Sequence, residues 1–392
     1  MVLVWYLLVP VGGVLYKRSR WHKFKIRFDQ LRLNPVLDYR SYWQNNEGKE
    51  FEGKIFRIIG AFESVTDGQT LWIRDENLTV PVSLRDAMIY LLPLQKDDVP
   101  DESAGAAEEN LEILRSGKIS TLTEGTRVFV GGCLKYINGL WSFASAKENP
   151  LVVIFFNGSD HSLASRVIRA GRPVGEFWNA VTPYSFAVGA LCQILIAFSF
   201  MNRPAFRQTV IVSLLALFIP LYPIIPPGLL FTVIFRRLSW KSRILRACRD
   251  LVLLPMYGFI LRKNKAGPYE KTYDGCRQSC VLPGGEPYGF VQSVELPPSD
   301  DNSENIPLLL PEYSELKSGE SWHVFGALHS GQNLPSRPED PLAIYGILPG
   351  SPGKLARSFS VKSYVMEITA IVALLAGLGL NIFFLWIVLA LL

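Results

Sequence analysis

Cysteine, histidine and recognisable catalytic spacings are scarce in this chain of 392 residues. Its five cysteines (Cys133, Cys192, Cys248, Cys276 and Cys280) are too few, and odd in number, for a disulfide scaffold, which fits a reducing compartment. No G-x-x-x-x-G-K-[ST] or G-x-G-x-x-G loop cradles a phosphate, no H-E-x-x-H offers a zinc pair, and no Ser-His-Asp order stands out. These absences remove the reason to propose an enzyme, and no cofactor is implied. The histidines are His22, His161, His323 and His329. One metal constellation can be written, a Cys2His2 zinc site from Cys276, Cys280, His323 and His329. The cysteine pair has knuckle spacing, but the five residues between the histidines stand at the edge of the usual range. Two reduced thiols in a loop, or a local disulfide, are the plainer alternatives.

Acidic residues are missing from two basic runs. Lys17, Arg18, Arg20, Lys23, Lys25 and Arg27 fall within eleven residues, and Arg236, Arg237, Lys241, Arg243, Arg246 and Arg249 within fourteen, with no Asp or Glu between them. The rest of the charge has the opposite bias. Residues 51–147 hold 10 basic against 14 acidic side chains, and residues 268–348 hold 4 against 12. The net charge of +5 is therefore local to segments that abut apolar runs. That placement suits the surface of an anionic leaflet, where each cation contributes about 1 kcal/mol.

Charge of either sign is missing from three long stretches: 177–202, 208–235 and 368–392. With 49% hydrophobic residues and a mean hydropathy of +0.19, part of the chain is expected to meet lipid. A span needs about 20 apolar residues, which all three stretches supply. Met1 to Tyr16 is shorter, yet its cations follow the apolar run and no A-x-A site appears, which reads as a retained anchor and not a secretory signal. Four spans are thus predicted, at 1–16, 177–202, 208–235 and 366–392. The two basic runs place 17–176 and 236–366 on the cytoplasmic side of a multi-pass cell-membrane protein, outvoting Arg203 and Arg207 in the short loop between spans two and three. Pro220, Pro223, Pro226 and Pro227 require the third span to kink or break. LVLLPMYGFIL (251–261) is too short to cross and reads as an interfacial helix or one packed on a soluble domain.

The soluble segments are β-rich. GKIFRIIGAF (53–62) and LWIRDENLTVPVSL (71–84) read as strands, the latter hinged at Asp75-Glu76-Asn77, followed by a helix over 84–94 and an acidic loop over 95–110. EGTRVFVGGCLKYINGLWSFASA (124–146) reads as a hairpin turning at Asn138-Gly139. This order, with Gly125, Val128, Val130, Gly132 and Leu134 in a G-x-x-V-x-V-x-G-x-L stretch, resembles the OB-type small β-barrel. The resemblance covers about 90 residues and implies a fold, not an activity. SGESWHVFGALHS (318–330) can be laid over the same stretch, with Gly319, Val324, Gly326 and Leu328 at matching spacing and YGFVQSVEL (288–296) as an opening strand.

The domain plan is therefore an anchor at 1–16, a basic juxtamembrane segment at 17–50, an OB-like module at 51–150 and spans at 177–202 and 208–235. A basic, interfacial segment at 236–266, a second β-rich module at 267–350 and a last span at 366–392 complete it. The fold class is α+β: helical spans with OB-like soluble modules. OB barrels often bind single strands through aromatics and cations, and Trp72, Arg74, Lys135, Tyr136 and Trp141 would form such a face, but the acidic balance argues against nucleic acid. The expected function is display of two β-rich modules for protein binding or complex assembly, with anionic lipid and a protein as partners. The alternative is a transporter or channel subunit built on the proline-broken third span.

Overall fold

Two strands organise the barrel, Ile55–Thr66 (β1) and Arg127–Ile137 (β6), and their antiparallel pairing runs from Ile55 opposite Cys133 to Ala61 opposite Arg127. The computed structural model describes residues 4–37, 39, 42, 52–75, 78–92, 111–137, 139–170, 179–221, 225–226, 228–263, 292–296, 306–310, 322–326 and 336–391, with backbone alone for 255–263, 292–296 and 388–391. The remaining strands of the large sheet are β2 (Thr70–Asp75), β3 (Leu78–Ser83), β4 (Met88–Leu91), β5 (Glu112–Ile113), β7 (Leu140–Ala144) and β8 (Val152–Phe156). Strands β1, β2, β3, β7 and β6 close on one another, with β3 parallel to β7 through Val82 and Phe143. The result is a closed, mixed, five-stranded barrel compatible with an OB-type fold. Strand β2 pairs with β3 as far as Asp75 opposite Leu78, and β6 with β7 as far as Ile137 opposite Leu140, so both predicted turns fall between paired strands; Gly139 has φ of +83°, and Glu76, Asn77 and Asn138 lie outside the described residues.

Strand β6 serves two neighbours along one edge. Its first half, Arg127–Gly131, pairs with β8, and its second half, Cys133–Ile137, pairs with β7. Strand β8 then carries β4 in parallel, and β4 carries β5. The predicted helix over 84–94 is therefore corrected to a strand. Met88–Leu91 takes its hydrogen-bonding partner from Val152–Phe155, more than 60 residues away, which no local pattern announces. Two glycines of the OB-like stretch are required by geometry. Gly125 has φ of +83°, and a Cβ on Gly132 would lie 2.4 Å from Leu151 Cδ1. The barrel interior is filled by side chains such as Ile58, Leu71, Val80, Val130 and Phe143.

A second, three-stranded sheet is formed by Gln292–Leu296 (β9), Trp322–Gly326 (β10) and Gly346–Pro349 (β11), in the order β11-β10-β9. Its register repeats part of the first sheet. Val130 stands opposite Ile58 on one side and Val153 on the other, and Val153 lies beside Ile89 in parallel. Val324 stands opposite Val294 and Ile347, and Ile347 lies beside Leu308 in a parallel bridge. In both sheets the step to the third strand is 23 residues, from 130 to 153 and from 324 to 347.

The helices are α1 (Val9–Arg32, preceded by a π turn at Val4–Leu8), α2 (Leu163–Ala170), α3 (Thr182–Phe200), α4 (Arg207–Ala216), α5 (Gly228–Lys263) and α6 (Pro352–Leu391). The chain divides into two units. One comprises Met1–Lys23, Pro173–Arg246 and Ser358–Leu392; the other comprises Phe24–Arg172 and Ala247–Arg357 and holds both sheets.

Among the described residues two helices are long and apolar enough to cross a membrane, Thr182–Phe200 and Pro352–Ile387. The other two expected spans do not form such helices. The apolar start of α1 runs without a break into the first basic run. The stretch 208–235 is interrupted: α4 ends at Ala216, a 3-10 turn holds Ile219–Leu221 including Pro220, and α5 begins only at Gly228. At about 1.5 Å per residue the ten residues of α4 reach roughly 15 Å, half a hydrocarbon core. The break is stabilised by a side chain of the last helix. Asn381 Nδ2 donates to Ile225 O at 3.0 Å, an oxygen that also accepts from Leu229 N at 3.2 Å, and its Oδ1 accepts from Gly228 N at 3.2 Å, so backbone groups where α5 begins are paired. The segment 251–261 is no separate helix but the end of α5, and Leu251, Val252 and Leu254 are buried within the second unit.

Close contacts order the first unit. Pro10 has no N–H to offer a carbonyl one turn back, and Trp5 O instead accepts from Ser185 Oγ. Asn179 Nδ2 donates to Pro10 O at 3.0 Å, and Tyr6 meets Phe186 edge-on at 5.3 Å. Gly13 and Gly189 leave the space these contacts need; a Cβ on Gly13 would stand 2.5 Å from the Asn179 amide.

Candidate functional site

Among the described residues the densest concentration of buried charge lies in the second unit, along the last two turns of α1. Phe24, Phe28 and Leu31 form the apolar stripe there: Phe24 packs on Tyr90 at 4.4 Å, Phe28 on Phe129 at 5.6 Å, and Leu31 fills the space left by Gly131. The adjoining stripe, one position further at each turn, is Lys25, Asp29 and Arg32. Docking of the apolar stripe on the sheet therefore buries the charged one; Asp29 is 2% exposed and Arg32 is fully buried.

Each charge but one has a direct partner. Lys25 Nζ lies 3.3 Å from Asp250 Oδ1, which also accepts from Arg249 Nη2 at 2.8 Å. Arg32 donates to two carbonyls, Leu342 O at 3.2 Å and Leu254 O at 3.1 Å, which ties the α1 end to both α5 and the segment before β11. Arg57, on β1, forms a two-point ion pair with Asp340, and its Nε donates to Asn34 O at 2.7 Å. Asp340 Oδ1 also accepts from Leu342 N at 3.0 Å. The Asp29 Oδ1 is buried without a hydrogen-bond partner. Burial pushes the Asp29 carboxyl up to about 6; Arg32 and Lys25 pull it down, and Asp250 pushes it further up. Burial likewise lowers Arg32 below the usual guanidinium range.

The arrangement is a clamp. It joins the end of α1, the buried turns of α5, strand β1 and the 340–342 turn through charges removed from water. Such pairs add little net stability over an apolar core, but removing one partner is expensive, so they fix which segments meet. Sequence reasoning missed the cluster because its members are spread from position 25 to 340. One signal was there: Asp29 is the sole acid in a helix that carries six cations of the first basic run.

The twelve juxtamembrane cations separate into groups. Arg18 and Arg246, one from each run, both pair with Glu367 of α6, Arg18 at 2.7 Å. Lys25 and Arg249 pair with Asp250, and Arg27 is buried, donating to Asn149 Oδ1 at 2.9 Å and Pro150 O at 3.2 Å. Arg20, Lys23, Arg236, Arg237 and Lys241 are exposed; Lys17 and Arg243 are half-buried. Of the metal candidates, Cys276, Cys280 and His329 lie outside the described residues and His323 stands on β10; among the described residues no group of three metal-ligating side chains occurs. On the proposed single-strand face, Trp141 is buried and meets the exposed Tyr136 edge-on at 5.3 Å, Trp72 Nε1 donates to Thr66 Oγ1 at 3.0 Å, and Lys135 Nζ donates to Ser145 O at 3.1 Å.

The chain matches no protein-family model, and the searches of curated proteins and solved structures returned no match either.

Proposed function

We propose that this is a membrane-anchored display protein, multi-pass, whose two β-rich modules bind a protein partner or assemble a complex. The observation that carries this reading is the barrel itself. Its interior is occupied by its own side chains, so recognition falls to its outer surface, and the β6–β7 hairpin presents Tyr136, Ile137 and Leu140 there, 54%, 38% and 46% exposed. Both modules are acidic, which suits a partner with basic residues around an apolar contact. The two apolar helices supply the anchor, and the exposed cations Arg20, Lys23, Arg236, Arg237 and Lys241 suit an anionic leaflet on the cytoplasmic side.

The repeated register of the two sheets supports internal duplication, with the module at 267–350 descended from the same OB-like module as 51–150. The proline break, which would underlie a transport role, has two backbone groups at its C-terminal end bonded to Asn381, which favours a structural role for it.

Affinity purification from gently solubilised membranes, followed by mass spectrometry of cross-linked peptides, tests the display reading. The expected result is a stoichiometric protein cross-linked near residues 136–140 and lost when Tyr136→Glu and Leu140→Glu are combined. Recovery of the chain alone, with the double variant indistinguishable, overturns it.

A further inference from the structure

We propose that the Asp29 carboxyl is a proton-binding site that sets how firmly the Ala247–Leu254 turns of α5 are held against the Phe24–Arg32 turns of α1. The site is built from both helices. Asp29 is enclosed by Lys25 and Arg32 of its own helix and by Asp250 of the other, and Arg249 and Lys25 share one oxygen of Asp250. Beyond Arg32 stand Arg57 and Asp340, already paired with each other. The buried members are therefore three cations, Lys25, Arg32 and Arg57, and two carboxylates, Asp29 and Asp250, with the half-buried Asp340 and Arg249 at the edge.

Within this set Asp29 alone lacks a hydrogen-bond donor, so its charge is balanced only at a distance. A buried carboxylate in that position is poorly solvated by the protein and by water alike. Taking up a proton removes the desolvation and the repulsion from Asp250, and leaves Lys25 to Asp250. Releasing the proton restores both penalties at the contact between the two helices. The midpoint of about 6 puts the exchange within reach of ordinary cellular pH changes. The direction follows from linkage. The folded site binds a proton more tightly than the unfolded chain does, so the contact is firmest below about pH 4 and loosens progressively until pH has risen through about 6.

Hydrogen exchange of the full-length protein in lipid nanodiscs, between about pH 5 and pH 7.5 and corrected for intrinsic rates, reads the contact through peptides covering 24–32 and 247–254. The expected result is a loss of protection in both as pH rises, with an opening equilibrium that grows about 10-fold between pH 5 and pH 7.5, the rest of the linkage lying below pH 5. Asp29→Asn, which keeps the shape and removes the charge, is expected to stay protected throughout with no step. Asp250→Asn removes the Lys25 partner and is expected to lower protection at every pH. A flat wild-type profile, or a step that survives in Asp29→Asn, overturns the proposal. Should Asp29→Asn not fold, carbon-13 titration of the aspartates in the wild type decides: a carboxyl titrating near pH 6 supports it, and none titrating above about pH 5 overturns it.

Discussion

Arg57 and Asp340 meet in a two-point ion pair although 283 residues of sequence separate them, and the guanidinium is almost wholly buried. The pair joins the opening strand of the barrel to the turn that leads into the second sheet. Arg57→Ala strands Asp340 and also removes the donor to Asn34 O, so a loss of about 3 kcal/mol is expected. Asp340 keeps some solvent contact, so Arg57→Ala combined with Asp340→Ala is expected to recover part of it. A double-mutant cycle by thermal denaturation checks the coupling.

Asn381 gives a test in which hydropathy and stability move in opposite directions. Asn381→Leu makes the last helix more apolar, yet it removes the acceptor of Gly228 N and one of the two donors to Ile225 O. Ile225 O keeps the Leu229 N–H, so the cost falls on Gly228 N: a loss of about 1 kcal/mol in detergent-monitored unfolding is expected, and Asn381→Gln is expected to restore little because the longer amide cannot keep both contacts.

Gly60 and Gly132 should differ in how readily they accept a methyl group. A Cβ on Gly132 meets the end of the Leu151 side chain, so Gly132→Ala is expected to lose about 1–2 kcal/mol and to be partly rescued by Leu151→Val. A Cβ on Gly60 meets the Arg74 carbonyl at 2.6 Å, and backbone cannot step aside, so Gly60→Ala is expected to be the more damaging and to have no such rescue. Urea unfolding of the two variants ranks them.

Stability should also follow the Asp29 carboxyl. Its folded value of about 6 lies above the ordinary 3.8, so its contribution is fully present below about pH 4, falls as pH rises, and is lost above about pH 6. Two pH units correspond to about 3 kcal/mol. Asp29→Asn is expected to raise the melting temperature at pH 7.5 and to leave it nearly unchanged at pH 3.5.

Glu367 receives an arginine from each basic run, so Glu367→Gln is expected to loosen the contacts among Met1–Lys23, Gly228–Arg246 and α6. Disulfide trapping between cysteines placed at 242 and 363, where Ser242 Oγ donates to Ser363 O at 2.9 Å, is expected to slow in that variant, and high salt is expected to mimic it in the wild type.

Strands with their own local signature were legible in the sequence: the opening strand, the hinge at Asp75-Glu76-Asn77 and the Asn138-Gly139 hairpin each combine β-formers with turn residues. Met88–Leu91 was not, because four apolar residues suit a strand or a helix equally and the decision belongs to Val152–Phe155. The long apolar runs were legible as apolar, but the prolines divide one of them, and only Asn381, a lone amide among aliphatic residues, marks where the division is repaired. The charge clamp was illegible for a different reason. Lys25 and Arg27 read as surface cations by composition, and only docking of Phe24, Phe28 and Leu31 turns that side of the helix inward.

Folding thereby changes the effective valence of the basic runs. Five of the twelve cations are neutralised or enclosed by Glu367, Asp250 and the Asn149–Pro150 turn, so the native protein shows an anionic bilayer far fewer positive charges than its sequence carries. An unfolded chain exposes all twelve. Acidic phospholipid is therefore a ligand with a preference for the unfolded state, and raising its mole fraction around this protein is expected to lower the melting temperature.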